Sequence, residues 1–172
     1  MIKIILLGYM GSGKSSIAKL LSQRLRISFK DLDDCVENET QMSINSIFET
    51  KGEIWFRKKE HDVFKELMVS SESFVLALGG GTPCYANNHE LLKWKSVVSV
   101  YLKTSVETLC ERLSDEKSAR PLIAGKNPQE LQDFIAQHLF ERSYYYNHAT
   151  HTVSTDGKSP SEIVTAIENL LV

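Results

Sequence analysis

Short, nearly unbroken apolar runs alternate along this chain with stretches of helical periodicity. The first run, Lys3-Ile4-Ile5-Leu6-Leu7, stops at Gly8. Further runs at 28–32, 74–78, 97–102 and 150–155 bring the predicted strands to five. Between them, Ile17, Leu20, Leu21 and Leu25 line one helical face, and Val63, Phe64 and Leu67 line another. Strands separated by helices are the signature of βα units wound into a parallel sheet.

Helix starts are legible as well. Thr104-Ser105-Val106-Glu107 reads as a capping box. Asn127-Pro128-Gln129-Glu130 and Ser159-Pro160-Ser161-Glu162 each put a capping residue before Pro at the first helical position and Glu at the third. Neither repeats nor low-complexity linkers interrupt the pattern, so residues 1–172 form one α/β domain. The polar stretch 114–126, with Lys117, Arg120 and Gly125, is either a mobile lid or an ordinary surface connection.

Charge narrows the function classes. Twenty basic and twenty-two acidic residues give a formal net charge of −2 with no long basic run. Nothing there suggests a nucleic-acid footprint or a membrane-surface stripe, so any anion site is local. Cys35, Cys84 and Cys110 are too few and too scattered for a disulfide framework or a zinc pattern, which suits reduced thiols in the cytoplasm. The opening apolar run is too short for a signal peptide, and none approaches the ~20 residues of a membrane span. Asn38-Glu39-Thr40 is read as a chance glycosylation triplet.

The chemistry starts at Gly8-Tyr9-Met10-Gly11-Ser12-Gly13-Lys14-Ser15, which matches G-x-x-x-x-G-K-[ST] between a strand and a helix. Glycines let successive N–H groups turn inward, and the positive end of the following helix adds to that anion site. Gly11, Ser12, Gly13, Lys14, Ser15 and Ser16 are therefore candidate ATP ligands. Lys14 is placed to reach the β- and γ-phosphates and Ser15 to ligate Mg²⁺. Gly125-Lys126 and Gly157-Lys158 lack the upstream glycine and are loops.

A switch GTPase would carry an Asp-x-x-Gly turn and an Asn-Lys-x-Asp guanine reader; neither string occurs. The third strand ends in Gly79-Gly80-Gly81 instead of an aspartate, so another carboxylate must support the metal. Asp31, at the end of the second strand, is the candidate. At strand spacing Asp33 points the same way toward the crevice, unless Asp33 or Asp34 merely caps the next helix.

Taken together these strings resemble the shikimate kinases, nearly end to end. The phosphate loop is followed in order by Asp31/Asp33, Phe56-Arg57, Gly79-Gly80-Gly81, Arg120-Pro121-Leu122 and Glu141-Arg142. The resemblance implies a three-layer P-loop kinase fold with a five-stranded parallel sheet of order 2-3-1-4-5. It also implies a substrate-binding insertion at about 33–60 and a lid at about 114–126. It assigns Asp33 to the shikimate hydroxyls and Arg57 and Arg142, with Gly79, Gly80 and Gly81, to the substrate carboxylate. Arg120 would close on the transferring phosphoryl group, Asp31 would hold Mg²⁺ through water, and Arg112 and Lys158 would lie on the adenine side. The expected partners are ATP and shikimate, and the expected state is a monomer.

Guanidinium groups meet carboxylates through two parallel hydrogen bonds, which suits that assignment. The bland readings are an Arg57 paired with Glu53 or Glu60 on its own helix, and an Arg142 that only complements a helix end. Arg120 could equally be a solvated loop charge, and the three glycines a plain turn. The chain departs from the family at Ser143-Tyr144-Tyr145-Tyr146, where x-Pro-Leu-Tyr is common, and at Thr82-Pro83-Cys84. His148 and His151 lack a third ligand nearby, and Trp55 and Trp94 are read as packing residues. Two other functions are set beside the leading one: a gluconate or nucleoside monophosphate kinase on the same scaffold, and a nucleotide sensor without transfer.

Overall fold

The computed structural model describes residues 1–116, 120 and 122–171. Five strands appear: β1 (Lys3–Leu7), β2 (Ser28–Asp31), β3 (Phe74–Ala77), β4 (Val97–Lys103) and β5 (His151–Ser154). All neighbours pair in parallel, in the order β2-β3-β1-β4-β5. The helices are α1 (Lys14–Leu25), α2 (Leu32–Thr40), α3 (Ile44–Thr50), α4 (Glu53–Val69), α5 (Asn88–Leu91), α6 (Val106–Ser114), α7 (Pro128–Tyr146) and α8 (Pro160–Glu168).

The sheet is covered on both faces, which is why its central strands read as continuous apolar runs. Ile4 and Leu6 of β1 point to one side, with Ile17 and Leu21 of α1 and Ile163, Val164 and Ile167 of α8. Ile5 and Leu7 point to the other, with Val36 of α2, Phe64 of α4, Leu109 of α6 and Ile135 of α7. After β1 the chain goes to one side of the sheet for β2 and β3, then crosses β1 for β4 and β5. That reversal opens a crevice at the carboxyl ends of the strands. The loop after β1, the end of β2 and the three glycines after β3 all meet there.

Both Pro-containing helix starts form complete capping boxes, at Asn127/Glu130 and at Ser159/Glu162. The one at Thr104 does not form. Ser105 caps α6 by accepting from the N–H of Thr108, while the Thr104 hydroxyl is taken by Thr155 at 2.7 Å. A second correction concerns residues 31–33. The strand ends at Asp31 and Leu32 already begins α2, so Asp33 follows helical, not strand, spacing. Asp31 itself is the cap, accepting from the N–H of Asp33 at 3.1 Å. Trp55 and Trp94, read as packing residues, are each a little more than a third exposed. No helix among the described residues is long and apolar enough to cross a membrane.

Candidate active site

The loop from Gly8 to Gly13 takes its shape from backbone angles that only glycine adopts without strain. Gly8 has φ of 151° and Gly13 a φ of 90°, and a Cβ on Gly8 would fall 2.8 Å from the Leu102 carbonyl. The loop walls one side of a cleft of about 750 Å³. Gly11, Ser12, Gly13, Lys14, Ser15 and Ser16 line it, as do Asp31, Asp33, Gly79, Gly80, Arg112, Arg120 and Lys158. The Ser12 hydroxyl is buried and unpartnered, a donor that a phosphate oxygen would satisfy. Lys14 Nζ donates to the Tyr9 carbonyl at 2.9 Å. Burial pushes its ammonium down to about 8, against the pull of Asp31.

Ser15 Oγ donates to Asp31 Oδ2 at 2.7 Å. A hydroxyl and a carboxylate in contact are the hard oxygen donors that Mg²⁺ prefers. Arg112 donates to the Gly11 carbonyl at 3.1 Å, and Lys158 to the Ser154 carbonyl at 2.9 Å. Arg120 is held by Glu116 through Nε at 2.9 Å and a terminal nitrogen at 2.8 Å. Its neighbours Lys117 and Pro121, part of the expected lid, lie outside the described residues.

The other half of the crevice is built around the three glycines. A Cβ on Gly79 would stand 3.6 Å from Asp33 Oδ1, and one on Gly80 only 3.2 Å from an Arg142 guanidinium nitrogen. On Gly81 it would come 2.7 Å from an Arg57 guanidinium nitrogen, closer than real contacts allow. Gly80 and Gly81 thus let two guanidiniums press against the turn, with the Asp33 carboxylate at ordinary contact distance beside Gly79. Arg57, Gly81 and Arg142 do not line the cleft itself; Arg142 adjoins Gly80, which does, and Arg57 adjoins Gly81. Asp33 is pushed up to about 6, first by burial, then by Asp31 and Glu60, with Arg57 and Lys14 opposing.

Three supporting residues carried little signal in the sequence. Glu60 is 1% exposed and pairs with Arg57 at 2.9 Å, while Thr82 donates to its other oxygen at 2.8 Å. Both own-helix partners considered for Arg57 therefore exist, Glu53 more loosely at 3.8 Å, and they fix the guanidinium beside Gly81 instead of removing it. Tyr85 lies beneath the same group, its ring centroid 4.2 Å from the Arg57 Cζ. Tyr146, within the departing Ser143-Tyr144-Tyr145-Tyr146 string, is buried and donates to the Gly80 carbonyl at 2.6 Å. The spacing of three from Arg57 to Glu60 was the only hint of the first. Nothing local announced the other two.

A phosphate-binding loop at the switch point of a parallel sheet, facing an acidic and guanidinium-rich crevice, defines a P-loop small-molecule kinase. The comparisons narrow that class. Residues 10–171 match the family described as shikimate kinase. A shikimate kinase of Flavobacterium johnsoniae is 56% identical, with 98% of each chain covered. The crystal structure of shikimate kinase from Bacteroides thetaiotaomicron superposes with a TM-score of 0.88 at 31% identity, covering 99% of this chain and 98% of that one. The solved structure of Acinetobacter baumannii shikimate kinase in complex with shikimate gives 0.86 at 33%, covering 99% and 93%. The chain belongs to the shikimate kinase family, whose reaction is the ATP-dependent phosphorylation of shikimate.

Proposed function

We propose that the γ-phosphoryl group of ATP passes to the 3-hydroxyl of shikimate, with Asp33, Arg57 and Arg142 holding the acceptor. The reading rests on one observation: Asp33, Arg142 and Arg57 lie in turn beside Gly79, Gly80 and Gly81, next to the loop that cradles phosphate. Asp33 orients the hydroxyl and takes its proton as the oxygen attacks phosphorus and the bond to the β-phosphate oxygen breaks. The two guanidiniums clamp the ring carboxylate, with the glycine turn beside them. Lys14 and Arg120 set positive charge against the transferring oxygens, where preorganised charge lowers the barrier most. Ser15, and Asp31 through water, supply the donors for Mg²⁺, which when bound neutralises phosphate charge.

Arg112 and Lys158 are proposed for the nucleotide's far end, residues 33–60 as the acceptor-binding insertion and 114–126 as the lid. A cytoplasmic monomer of one domain fits this reading. Coupled ADP release with shikimate, gluconate, AMP and CMP offered in parallel tests it. Turnover with shikimate alone is the expected result; equal ADP release with and without shikimate would remove the acceptor assignment. In the same assay Arg57→Ala should raise KM for shikimate about 10- to 100-fold, the loss of a charge-assisted contact, with KM for ATP nearly unchanged. A folded variant that instead loses ATP affinity would put Arg57 on the other ligand.

A further inference from the structure

Tyr9 occupies a position of the phosphate loop that the motif leaves open to any residue. Its backbone serves the nucleotide end: the carbonyl accepts from Lys14 Nζ at 2.9 Å and from the Ser12 N–H at 3.1 Å. Its side chain goes the other way, into the body of the protein, and is 1% exposed. There the ring lies under Arg142, with the guanidinium carbon 5.6 Å from the ring centroid. The buried hydroxyl meets His138 Nδ1 at 3.0 Å. His138 and Arg142 are one helical turn apart on α7, so a single face of that helix receives the whole tyrosine.

We propose that Tyr9 is a positioning residue for Arg142: its ring seats the guanidinium and its bond to His138 holds the ring in place. One side chain rooted in the nucleotide loop thereby sets the clamp for the acceptor carboxylate. The idea rests on Arg142 binding that carboxylate, as proposed above. An aliphatic residue would leave the loop backbone as it is and fill the same core. What it would not supply is a π face for a partly desolvated cation. Arg142 also adjoins Gly80, its nitrogen 3.2 Å from where a Cβ would stand, and it donates a hydrogen bond to the Tyr146 hydroxyl. A guanidinium held between a ring and a glycine turn has few rotamers left, so little freedom is lost when the carboxylate arrives.

The bland alternative, Tyr9 as core filler, predicts a loss of stability and nothing else. Tyr9→Leu should raise KM for shikimate about tenfold, leaving kcat and KM for ATP within about threefold. Tyr9→Phe keeps the ring and should stay within about threefold of wild type in all three parameters. Introduced into Arg142→Ala, Tyr9→Leu should change KM for shikimate by less than about twofold, because the partner it acts through is gone. An equal effect in both backgrounds, or a lowered Tm with unchanged KM, overturns the proposal. NMR of the Arg142 side chain needs no substrate: its ring-current shift should vanish in Tyr9→Leu and survive in Tyr9→Phe. Arg142 resonances that do not move in Tyr9→Leu refute the seating whatever the acceptor is. Absence of shikimate turnover in the wild type would instead fault the acceptor reading alone. Should Tyr9→Leu fail to fold, Tyr9→Phe and His138→Leu carry the test: without the hydroxyl–imidazole bond the ring-current shift should survive in both but at reduced size, and Arg142 signals unchanged in both reject the proposal.

Discussion

An Asp33→Asn enzyme is expected to lose about 10²- to 10⁴-fold in kcat and yet to melt several degrees higher than wild type at pH 8. Both halves follow from one carboxylate. Asp33 is held up at about 6 by burial first and by Asp31 and Glu60 next, so ionising it costs more in the folded chain than in the unfolded one. Between 3.8 and about 6 the folded protein keeps a proton that the unfolded chain has released. Stability therefore falls as pH rises through that window, and the penalty is complete above it. Its size is at most about 3 kcal/mol, and a neutral Asn removes it. The same group must be ionised to accept the hydroxyl proton, so wild-type kcat/KM should rise as pH passes about 6. Thermal melts at pH 5 and pH 8 beside the ADP assay check this. A variant that melts lower than wild type at pH 8, or one that keeps its activity, would contradict the account.

Lys14→Met should cost about 10³-fold or more in kcat/KM and abolish a proton uptake that accompanies ATP binding. Burial holds the Lys14 ammonium down at about 8, so above that pH much of the free protein carries a neutral amine there. A triphosphate favours the charged form, so binding at pH 9 should draw close to one proton from solution and at pH 7 very little. Calorimetry in buffers of different ionisation enthalpy measures that number directly. For the free protein the direction is also set: the folded chain releases this proton earlier than the unfolded one, so this group's contribution to stability improves as pH rises from about 8 toward 10.5. Proton uptake that persists in Lys14→Met would assign it to another residue. Lys14→Arg should not restore turnover, because a planar fork does not replace a point charge enclosed by the loop.

The fold was legible where local pattern and global packing agree. Five apolar runs became five strands, each within a residue or so at its ends, and two capping boxes formed with both halves. Misreadings came where a hydroxyl or carboxylate had more than one partner within reach. Thr104 was free to cap until Thr155 stood 2.7 Å away from it. Asp31 and Asp33 were brought to the right crevice by the wrong geometry, since the turn into α2 puts a helix start where strand spacing was assumed.

By itself the order of residues determined the phosphate loop, the strand count and the set of charged side chains available to the crevice. Those depend on neighbours in the chain: where glycine permits a turn, where a helix starts, which runs are apolar enough to be covered twice. Only the folded chain decided that the Arg57–Glu60 pair would stand beside Gly81, that Tyr146 would reach the Gly80 carbonyl and that Tyr9 would lie beneath Arg142. Two of these contacts join residues 66 and 133 positions apart, between the loops after two interior strands and the helix α7. Such pairs are set by how α7 packs on the sheet, and no periodicity or motif in the sequence encodes a distance of that kind.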